Sequence, residues 1–485
     1  MKISDNIEND FSVLPVGVLQ FGEGNFLRAF ADWYINRANK SGVLNSSVVI
    51  VKPTASKPSE YFNSQNYRYT VIQRGRTDNG IVDESEIVTS VSDFVCVYDE
   101  YEKFLNYAKC KTLKVIISNT TEAGIVYNNG EKLEDAPCFS YPAKLCAFLY
   151  ERYKYLGMGS GLLILPVELI ENNGKELKRC VLAYASDWNL EIGFINYIEN
   201  DCKFCSTLVD RIVTGFPKYD YADYVNRLGY DDKLLVVCEP YNSWIIEGKE
   251  EWRDIFPIHK ISDNIKWVSD ISPYRERKVK ILNGAHTLSV TSAYLAGYDI
   301  VRDMMHDELF SSFIKKTLKN EIMPTIDLDS SELSDFAQSV FNRFDNPFID
   351  HSLLDIALNC VSKYRARCLP SAIQYIEKFG KSPHGLAFSL AALITFYDGK
   401  FNENGEFVSF RNSKEYLIRD SKEVCKAFEK AHKSENTVKC ILSDICLWGV
   451  DLTDYSEFFN DVKKYYKDIC ENGVAEALNK VVNNG

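Results

Sequence analysis

The chain has 485 residues, of which 46% are hydrophobic, and carries a formal net charge of −12 at pH 7. That length exceeds what one ordinary hydrophobic core organises, so two or more domains are expected. The acidic balance argues against a nucleic-acid partner, and no apolar stretch reaches the roughly 20 residues of a membrane helix. Because the first residues are polar and acidic, they lack the features of a secretory signal. We therefore expect a cytoplasmic enzyme of small-molecule substrates, and the sequence predicts no particular oligomeric state.

Fourteen cysteines are spread through the chain from Cys96 to Cys470. In a large chain without secretory features, such cysteines are mostly reduced and buried thiols. Cys202 and Cys205 have the spacing of a redox or metal pair, but no second pair follows at zinc-ribbon distance. The histidines also lack the spacing of metal ligands. We therefore expect chemistry without a metal ion.

The first predicted unit is a strand, a glycine turn and an amphipathic helix. Residues 16–21 form a short apolar run that meets Gly22-Glu23-Gly24, and aromatic residues at helical spacing follow. Further strand-like runs cover residues 47–51, 113–118, 162–165 and 233–238. The alternation of strands and helices predicts an α/β domain with a doubly wound parallel sheet of the Rossmann type. We place this domain at residues 1–274.

The sequence pattern changes near residue 275. Strand-like runs become rare, and segments such as 352–363, 370–379 and 383–397 carry apolar residues at spacings of three and four. No low-complexity tract, flexible linker or internal repeat interrupts the sequence. We therefore predict an all-helical second domain at residues 275–485, with the boundary in the segment 271–277.

The glycine turn is the candidate nucleotide site. A strand, Gly-x-Gly and a helix let a diphosphate approach backbone amides at the helix N-terminus, where the helix dipole also favours an anion. The fingerprint is incomplete, because Leu27 occupies the third glycine position and Lys52 follows the second strand where an acidic residue usually holds the adenine ribose. Lys52 either binds a 2′-phosphate, which favours NADP, or is solvated. The pattern predicts a dinucleotide and leaves NAD and NADP open.

The segment from Lys278 to His286 is the candidate catalytic site. If it is helical at about 100° per residue, Asn283 and His286 are neighbours and Lys278 lies within roughly 140° of both. A buried lysine can serve as a base at neutral pH, an amide can donate to a carbonyl oxygen, and a histidine can orient a hydroxyl. These functions suit the interconversion of an alcohol and a carbonyl. The spacing alone also fits a solvated lysine, a capping asparagine and a core histidine.

Five segments carry a resemblance to a known family: residues 20–29 (Gln-Phe-Gly-Glu-Gly-Asn-Phe-Leu-Arg-Ala), 118–124, 209–215, 277–287 and 343–351. Together they resemble the mannitol dehydrogenase family of long-chain polyol and uronate oxidoreductases. The most similar branch interconverts D-tagaturonate and D-altronate. The resemblance implies an NAD-binding Rossmann domain and a helical domain like that of 6-phosphogluconate dehydrogenase. It also implies metal-independent hydride transfer on a hexuronate or aldonate substrate.

The resemblance further implies roles for individual residues. The catalytic residues are Lys278 as general base, Asn283 as oxyanion donor and His286 as the group that orients the substrate. Substrate contacts are implied for Val209, Asp210 and Lys363. Cofactor contacts are implied for Val18, Leu19, Gln20, Phe21, Gly22, Glu23, Gly24, Asn25, Phe26, Leu27, Arg28, Ala29, Thr121 and Glu122.

Three positions depart from the sugar-alcohol members of the family. Asp355 stands where they carry an arginine, Leu169 where they carry a second oxyanion asparagine, and Arg275 where they carry a glutamate. Asn173 lies near the second of these positions. A hexuronate has a carboxylate that a sugar alcohol lacks, and Arg275, Lys363 or Arg367 can pair with it. We therefore add Arg275 to the expected substrate residues.

These expectations describe an NAD-dependent oxidoreductase that interconverts D-tagaturonate and D-altronate in hexuronate catabolism. The nearest alternatives are the same chemistry between fructuronate and mannonate, or on a sugar alcohol such as mannitol. An alternative of another class is a noncatalytic sugar or nucleotide sensor that keeps the fold.

Overall fold

The computed structural model describes Ile3 and residues 9–57, 59–121 and 123–484. The chain forms two compact units, one of Met1–Arg74 with Ile81–Ile271 and the other of Gly75–Gly80 with Ser272–Gly485. Among the described residues, no helix is both long and apolar enough to cross a membrane.

The strands of the first part of the chain are short. In chain order they are β1 (Val16–Phe21), β2 (Ser47–Lys52), β3 (Tyr69–Thr77), β4 (Gly80–Val88), β5 (Val91–Cys96), β6 (Val115–Ser118), β7 (Leu163–Pro166), β8 (Lys203–Phe204), β9 (Thr207–Asp210), β10 (Val213–Gly215), β11 (Val236–Cys238), β12 (Ser243–Glu247) and β13 (Ile265–Val268).

The helices of the first unit connect these strands. They are α1 (Asn25–Leu27), α2 (Trp33–Lys40), α3 (Tyr61–Ser64), α4 (Tyr101–Asn106), α5 (Tyr141–Leu156), α6 (Asn173–Asp187), α7 (Ile192–Asn196) and α8 (Tyr221–Leu228). Arg28–Asp32 forms a π-helical turn that joins α1 to α2, so residues 25–40 are one continuous helix. A second π-helical turn, Tyr197–Asp201, follows α7. Short 3-10 turns lie at Phe11–Val13, Tyr107–Lys109, Glu250–Asp254 and Ile258–Lys260.

The central sheet of the first unit has six parallel strands in the order β5-β2-β1-β6-β7-β8. Alternate residues of β1 enter separate cores, since Val18 packs in one hydrophobic cluster and Leu19 in another. Burial on both faces explains why these strands appear in the sequence as continuous apolar runs. The predicted doubly wound parallel sheet is confirmed. The strand order reverses between β1 and β6, which is where ligands bind in such sheets.

Two smaller sheets complete the first unit, in the orders β10-β11-β3-β4 and β13-β12-β9. The run at residues 233–238, expected as a further strand of the central sheet, instead supplies β11, which pairs with β3 and β10. Its apolar pattern marks it as a buried strand but does not specify its partner, because pairing with β3 is a contact between distant parts of the chain.

The second unit is built mainly of helices. They are α9 (Ser272–Arg277), α10 (Gly284–Ala296), α11 (Val301–His306), α12 (Glu308–Thr317), α13 (Ser330–Phe344), α14 (Leu353–Ile356), α15 (Cys360–Arg367), α16 (Leu369–Phe379), α17 (His384–Phe396), α18 (Lys422–His432), α19 (Thr437–Leu442), α20 (Ile445–Trp448), α21 (Ser456–Asn472) and α22 (Val474–Asn484). Lys278–Asn283 and Leu318–Ile322 are π-helical, and Met323–Thr325 and Leu452–Asp454 are 3-10 turns.

The helical second domain is confirmed, with two differences of detail. The segment 352–363 was predicted as one helix, but Asn359 adopts a left-handed conformation (φ +52°) that separates α14 from α15. The unit also contains a three-stranded antiparallel sheet of β14 (Gly399–Phe401), β15 (Phe407–Arg411) and β16 (Lys414–Leu417). Because α17 is buried on all sides and packs against α10 and α21, it forms the centre of this unit.

Candidate active site

Gly22 ends β1 and opens the turn that was predicted to bind a nucleotide. Its φ of +118° suits glycine, and a Cβ there would come within 3.0 Å of the Asn119 carbonyl oxygen and of Leu27 Cδ1. A Cβ on Gly24 would meet no atom within 4 Å, so the space beside Gly24 is open. The turn leads directly into the helix of residues 25–40, whose first backbone N–H groups lack partners within the helix. The geometry therefore fits a dinucleotide diphosphate.

Several of the expected cofactor residues are part of the core around this turn. Val18, Leu19, Phe21, Leu27 and Ala29 are all buried hydrophobic residues. Because their side chains fill the interior of the first unit, they shape the turn from within. The backbone is the part of this segment that is available to a ligand.

Gln20 and Arg28 hold the turn by hydrogen bonds. Gln20 Nε2 donates to the Gly22 carbonyl oxygen at 3.2 Å. Arg28 donates to the Glu23 carbonyl oxygen at 3.3 Å and to Asn25 Oδ1 at 2.5 Å. Since both side chains are buried and engaged, they fix the backbone of the glycine turn.

The remaining expected cofactor residues flank the turn. Asn25 is exposed, and Phe26 is half-buried with its ring stacked on Phe30 at 4.9 Å. Thr121, in the loop after β6, has a φ of +81°, which is unusual for a β-branched residue. Glu122 lies outside the described residues.

Lys52 is buried at the end of β2. Its ammonium group donates to Ser56 Oγ at 2.6 Å and to Thr54 Oγ1, and it lies 3.4 Å from a Glu23 carboxylate oxygen. With only 1% of Lys52 exposed, the solvated alternative considered from the sequence is wrong. The Lys52 charge is instead paired with a carboxylate from the glycine turn itself.

Glu168, just after β7, supports the loop that follows β6. Its carboxylate accepts hydrogen bonds from Ser118 Oγ at 3.1 Å, Thr120 N at 2.9 Å and Thr120 Oγ1 at 3.0 Å. Burial raises the pKa of Glu168, although these hydrogen bonds oppose the effect. The sequence predicts no role for Glu168. The available signal was a carboxylate at the carboxyl end of a buried parallel strand, beside the loop that contains Thr121.

Asn173 does not provide the second oxyanion donor considered in the sequence analysis. Its amide nitrogen already donates to the carbonyl oxygens of Pro166, Glu168 and Thr207 at 2.9 to 3.1 Å. Because the residue is fully buried, this amide is part of the internal framework. Leu169, at the aligned position, is exposed and apolar.

Val209 and Asp210 end β9, and both are buried. The adjacent Arg211 donates to the Ala29 carbonyl oxygen at 2.6 Å and to Gln73 Oε1 at 2.9 Å. Arg211 therefore fixes the end of β9 to the helix that begins at the glycine turn.

The candidate catalytic residues lie on one helix of the second unit. Residues 272–296 run continuously, but Lys278–Asn283 is a π-helical turn rather than the regular α-helix assumed from the spacing. In a π-helical turn, backbone hydrogen bonds join residues that are five positions apart. Lys278 and Asn283 have this separation, so they lie on adjacent turns on the same side of the helix. Both side chains are half-buried. The π-turn therefore brings the expected base and oxyanion donor closer together than an α-helix would.

His286 follows this turn and is surrounded by aromatic rings and positively charged side chains. Its ring stacks on Phe344 at 4.1 Å and meets His351 edge-on at 5.2 Å. Nε2 is buried and has no hydrogen-bond partner within the described part of the chain. Burial lowers the pKa of His286 well below its usual value, and the charges of His351, Arg343, Arg367 and Lys363 add to this effect. The ring is therefore neutral near pH 7, and one nitrogen is available to a substrate.

Lys280 has a different role from Lys278, two positions away. It is buried, and its ammonium group lies 2.5 Å from Glu276 and donates to Gln374 Oε1 at 2.6 Å. It also donates to the Thr325 carbonyl oxygen at 3.2 Å. These bonds make Lys280 a link between the catalytic helix and its neighbours.

The expected site residues are divided between the two units. Lys278, Asn283, His286, Arg275 and Lys363 belong to the second unit, and the glycine turn, Thr121, Val209 and Asp210 belong to the first. Arg275 is half-buried in α9, and Lys363 is half-buried in α15. Within the second unit, Lys363 lies close enough to His286 for its charge to lower the pKa of the imidazole ring. These two expected residues therefore belong to one cluster. His351 and Phe344 lie in a segment that carries the family resemblance, but no role is predicted for them from the sequence.

Comparison with known proteins gives matches to both parts of the chain. Residues 16–255 match the mannitol dehydrogenase Rossmann domain, and residues 270–470 match the mannitol dehydrogenase C-terminal domain. The chain is 43% identical to an altronate oxidoreductase of Halalkalibacterium halodurans, covering 97% of this chain and 94% of that protein. It is 40% identical to an altronate oxidoreductase of Yersinia enterocolitica, covering 96% of each.

Solved structures show the same fold. A D-sorbitol dehydrogenase in substrate-free form matches with a TM-score of 0.79 at 21% identity, covering 97% of this chain and 96% of the other. The Pseudomonas fluorescens mannitol 2-dehydrogenase, in a ternary complex with NAD and D-mannitol, matches with a TM-score of 0.65 at 22% identity, covering 98% and 96%. The resemblance found from five sequence segments is confirmed, and the chain belongs to the mannitol dehydrogenase family.

Proposed function

We propose that this protein is an NAD-dependent oxidoreductase that interconverts D-tagaturonate and D-altronate. The observation that carries the proposal is its 40–43% identity, over nearly the whole chain, to proteins named altronate oxidoreductase. The helix that holds Lys278, Asn283 and His286 supports it, because these side chains supply a base, an amide donor and a neutral imidazole.

In the oxidative direction, Lys278 Nζ takes the hydroxyl proton of altronate. The Asn283 amide donates to the same oxygen as it becomes a carbonyl oxygen, and His286 orients the hydroxyl through its available ring nitrogen. A bound nicotinamide would supply the acceptor for the hydride that leaves the carbon bearing this oxygen. In the reductive direction, Lys278 returns the proton to the oxygen of tagaturonate. One proton and one hydride are therefore exchanged in each turnover.

NAD is the cofactor that this chain's residues favour. The Glu23 carboxylate lies 3.4 Å from the Lys52 ammonium group and neutralises the positive charge at the end of β2. A 2′-phosphate at that position would be repelled by Glu23, whereas the ribose hydroxyls of NAD would not. The proposal therefore includes a preference for NAD over NADP.

We place the reaction in the cytoplasm. All fourteen cysteines are free thiols, and most of them are buried. Thiols in such number persist in a reducing compartment.

The experiment that tests the proposed function is a substrate and cofactor panel. The purified chain would be offered tagaturonate, fructuronate and fructose with NADH and with NADPH, and nicotinamide absorbance would be followed. We expect the highest kcat/KM for tagaturonate with NADH. Higher values for fructuronate or fructose would assign a different substrate, and NADH binding without turnover of any hexuronate would identify a noncatalytic sensor.

A further inference from the structure

Helix α15 carries two cations that form no ion pair with a carboxylate in the part of the chain that the structure describes. Lys363 and Arg367 lie four residues apart, so they project from the same side of the helix, and both are half-buried. Lys363 Nζ donates to the Ile356 carbonyl oxygen at 2.9 Å, and Arg367 Nη1 donates to Thr287 Oγ1 at 3.3 Å. Within residues 9–57, 59–121 and 123–484, no carboxylate forms an ion pair with either of them.

Other shielded cations of the same unit do have acidic partners. Arg277 lies 2.6 Å from a Glu332 carboxylate oxygen, and Lys280 lies 2.5 Å from Glu276. Removing a charge from water without a counter-charge is costly, and here the two positive charges also repel each other. Burial lowers the pKa of Lys363, and the neighbouring Arg367 lowers it further. This arrangement is expected where the missing anion arrives with a ligand.

The two cations lie beside the catalytic helix. The hydrogen bond from Arg367 reaches Thr287, the residue after His286, and Thr287 Oγ1 in turn donates to the Asn283 carbonyl oxygen at 2.9 Å. The charges of Arg367 and Lys363 also act on the His286 ring. A ligand held by His286 is therefore within the electrostatic reach of both cations.

We propose that Lys363 and Arg367 together bind the carboxylate of the hexuronate substrate, an inference that rests on the proposed function. The guanidinium of Arg367 matches a carboxylate with two parallel hydrogen bonds, and Lys363 adds a point charge. Asp355, where sugar-alcohol members of the family carry an arginine, is exposed and lies 2.6 Å from Arg419. The positive charge available to a substrate carboxylate therefore lies at Lys363 and at Arg367, one helical turn later.

The test compares Arg367→Gln and Lys363→Gln with Arg365→Gln, which removes an exposed cation from the same helix. Binding of D-altronate to the NADH complex, in which no reaction occurs, would be measured by calorimetry, together with kcat/KM for tagaturonate. Loss of hydrogen bonds to a charged group predicts affinity and kcat/KM about 10- to 100-fold lower for Arg367→Gln and Lys363→Gln. Arg365→Gln is expected to change neither by more than about twofold.

A thermal melt separates binding from folding. If Arg367 lacks a counter-charge in the free protein, Arg367→Gln has a Tm equal to or above that of the wild type. Retained altronate affinity, or a lower affinity that accompanies a lower Tm, would overturn the inference.

The same measurements distinguish a failure of the carboxylate site from a failure of the proposed function. If the wild type reduces no hexuronate but Arg367→Gln loses altronate binding, the proposed function fails and the carboxylate site stands. If the wild type neither reduces a hexuronate nor binds altronate, both are overturned.

Discussion

At the scale of single residues, Lys278 and Lys280 show why identical side chains in one segment can have different roles. Lys280 is buried and bonded to Glu276, Gln374 and Thr325, so that its charge is used inside the unit. Lys278 occupies the π-turn with Asn283. The spacing from Asn283 and His286, together with the family resemblance, points to Lys278. The sequence predicts no role for Lys280, because the burial and the partners of Lys280 are set by helices distant in the chain.

The two lysines give a matched prediction. Lys278→Ala removes the proposed base, and general acid-base catalysis contributes about 10²- to 10⁴-fold to a rate, so kcat for tagaturonate reduction should fall by that amount with little change in Tm. Lys280→Met instead removes hydrogen bonds from a charged group and should lower the free energy of unfolding by about 2 kcal/mol. Steady-state kinetics and thermal melts of both variants check this. A normal rate for Lys278→Ala would remove it as the base.

Glu23 provides a second prediction at this scale. Its carboxylate neutralises Lys52, so Glu23→Gln should leave an unpaired ammonium group at the end of β2. A gain of about 1.4 kcal/mol in binding a 2′-phosphate corresponds to roughly a tenfold rise in kcat/KM for NADPH relative to NADH. Glu60→Gln, which removes an exposed charge a few residues after Lys52, is the control. If the ratio of kcat/KM for NADPH to kcat/KM for NADH equals the wild-type ratio in both variants, Glu23 does not set the cofactor preference.

At the scale of secondary-structure elements, the central sheet was predictable and the irregular turns were not. Buried parallel strands such as β1 and β7 are almost entirely apolar, so the sequence marks them directly. The π-turn at Lys278–Asn283 and the left-handed Asn359 that separates α14 from α15 are local changes of backbone geometry, and an apolar spacing of three and four residues does not reveal them. The sheets that contain β11 and β15 depend on pairing between segments, which apolar periodicity within one segment does not encode.

The start of α17 gives an element-scale prediction about pH. Glu321 accepts hydrogen bonds from the backbone N–H groups of Gly385 at 2.8 Å and Leu386 at 3.0 Å, yet burial raises its pKa to about 7. Between pH 4.5, its ordinary value, and about 7, the folded state binds more protons than the unfolded state. The stability from this group is therefore complete below pH 4.5 and is lost as the pH rises through 7.

Glu321→Gln should remove this pH dependence. The wild type is expected to lose about 3 kcal/mol of its free energy of unfolding from this group between pH 4.5 and pH 8, and the variant should lose none of it. Glu377→Gln, an exposed change on the neighbouring helix α16, serves as the control. Denaturant titrations at several pH values measure the difference. If the free energy of unfolding changes equally with pH in the wild type and in Glu321→Gln, burial of Glu321 does not cause the pH dependence.

At the scale of the whole molecule, the family and the division into a sheet-based unit and a helical unit follow from the sequence. The sequence does not show that Gly75–Gly80 belongs with the second unit, because these residues are the end of β3, the turn after it and the first residue of β4. The expected cofactor residues belong to the sheet-based unit, and the expected catalytic residues belong to the helical unit.

The proposed reaction transfers a hydride from NADH to tagaturonate and forms altronate. The most direct measurement incubates the purified protein with tagaturonate and NADH that carries deuterium at the transferable position, and identifies the product by mass spectrometry. We expect the wild type to form altronate with one deuterium on the former carbonyl carbon, and Lys278→Ala to form it at a greatly reduced rate. Unchanged tagaturonate after prolonged incubation, with NADH bound to the protein, would contradict it.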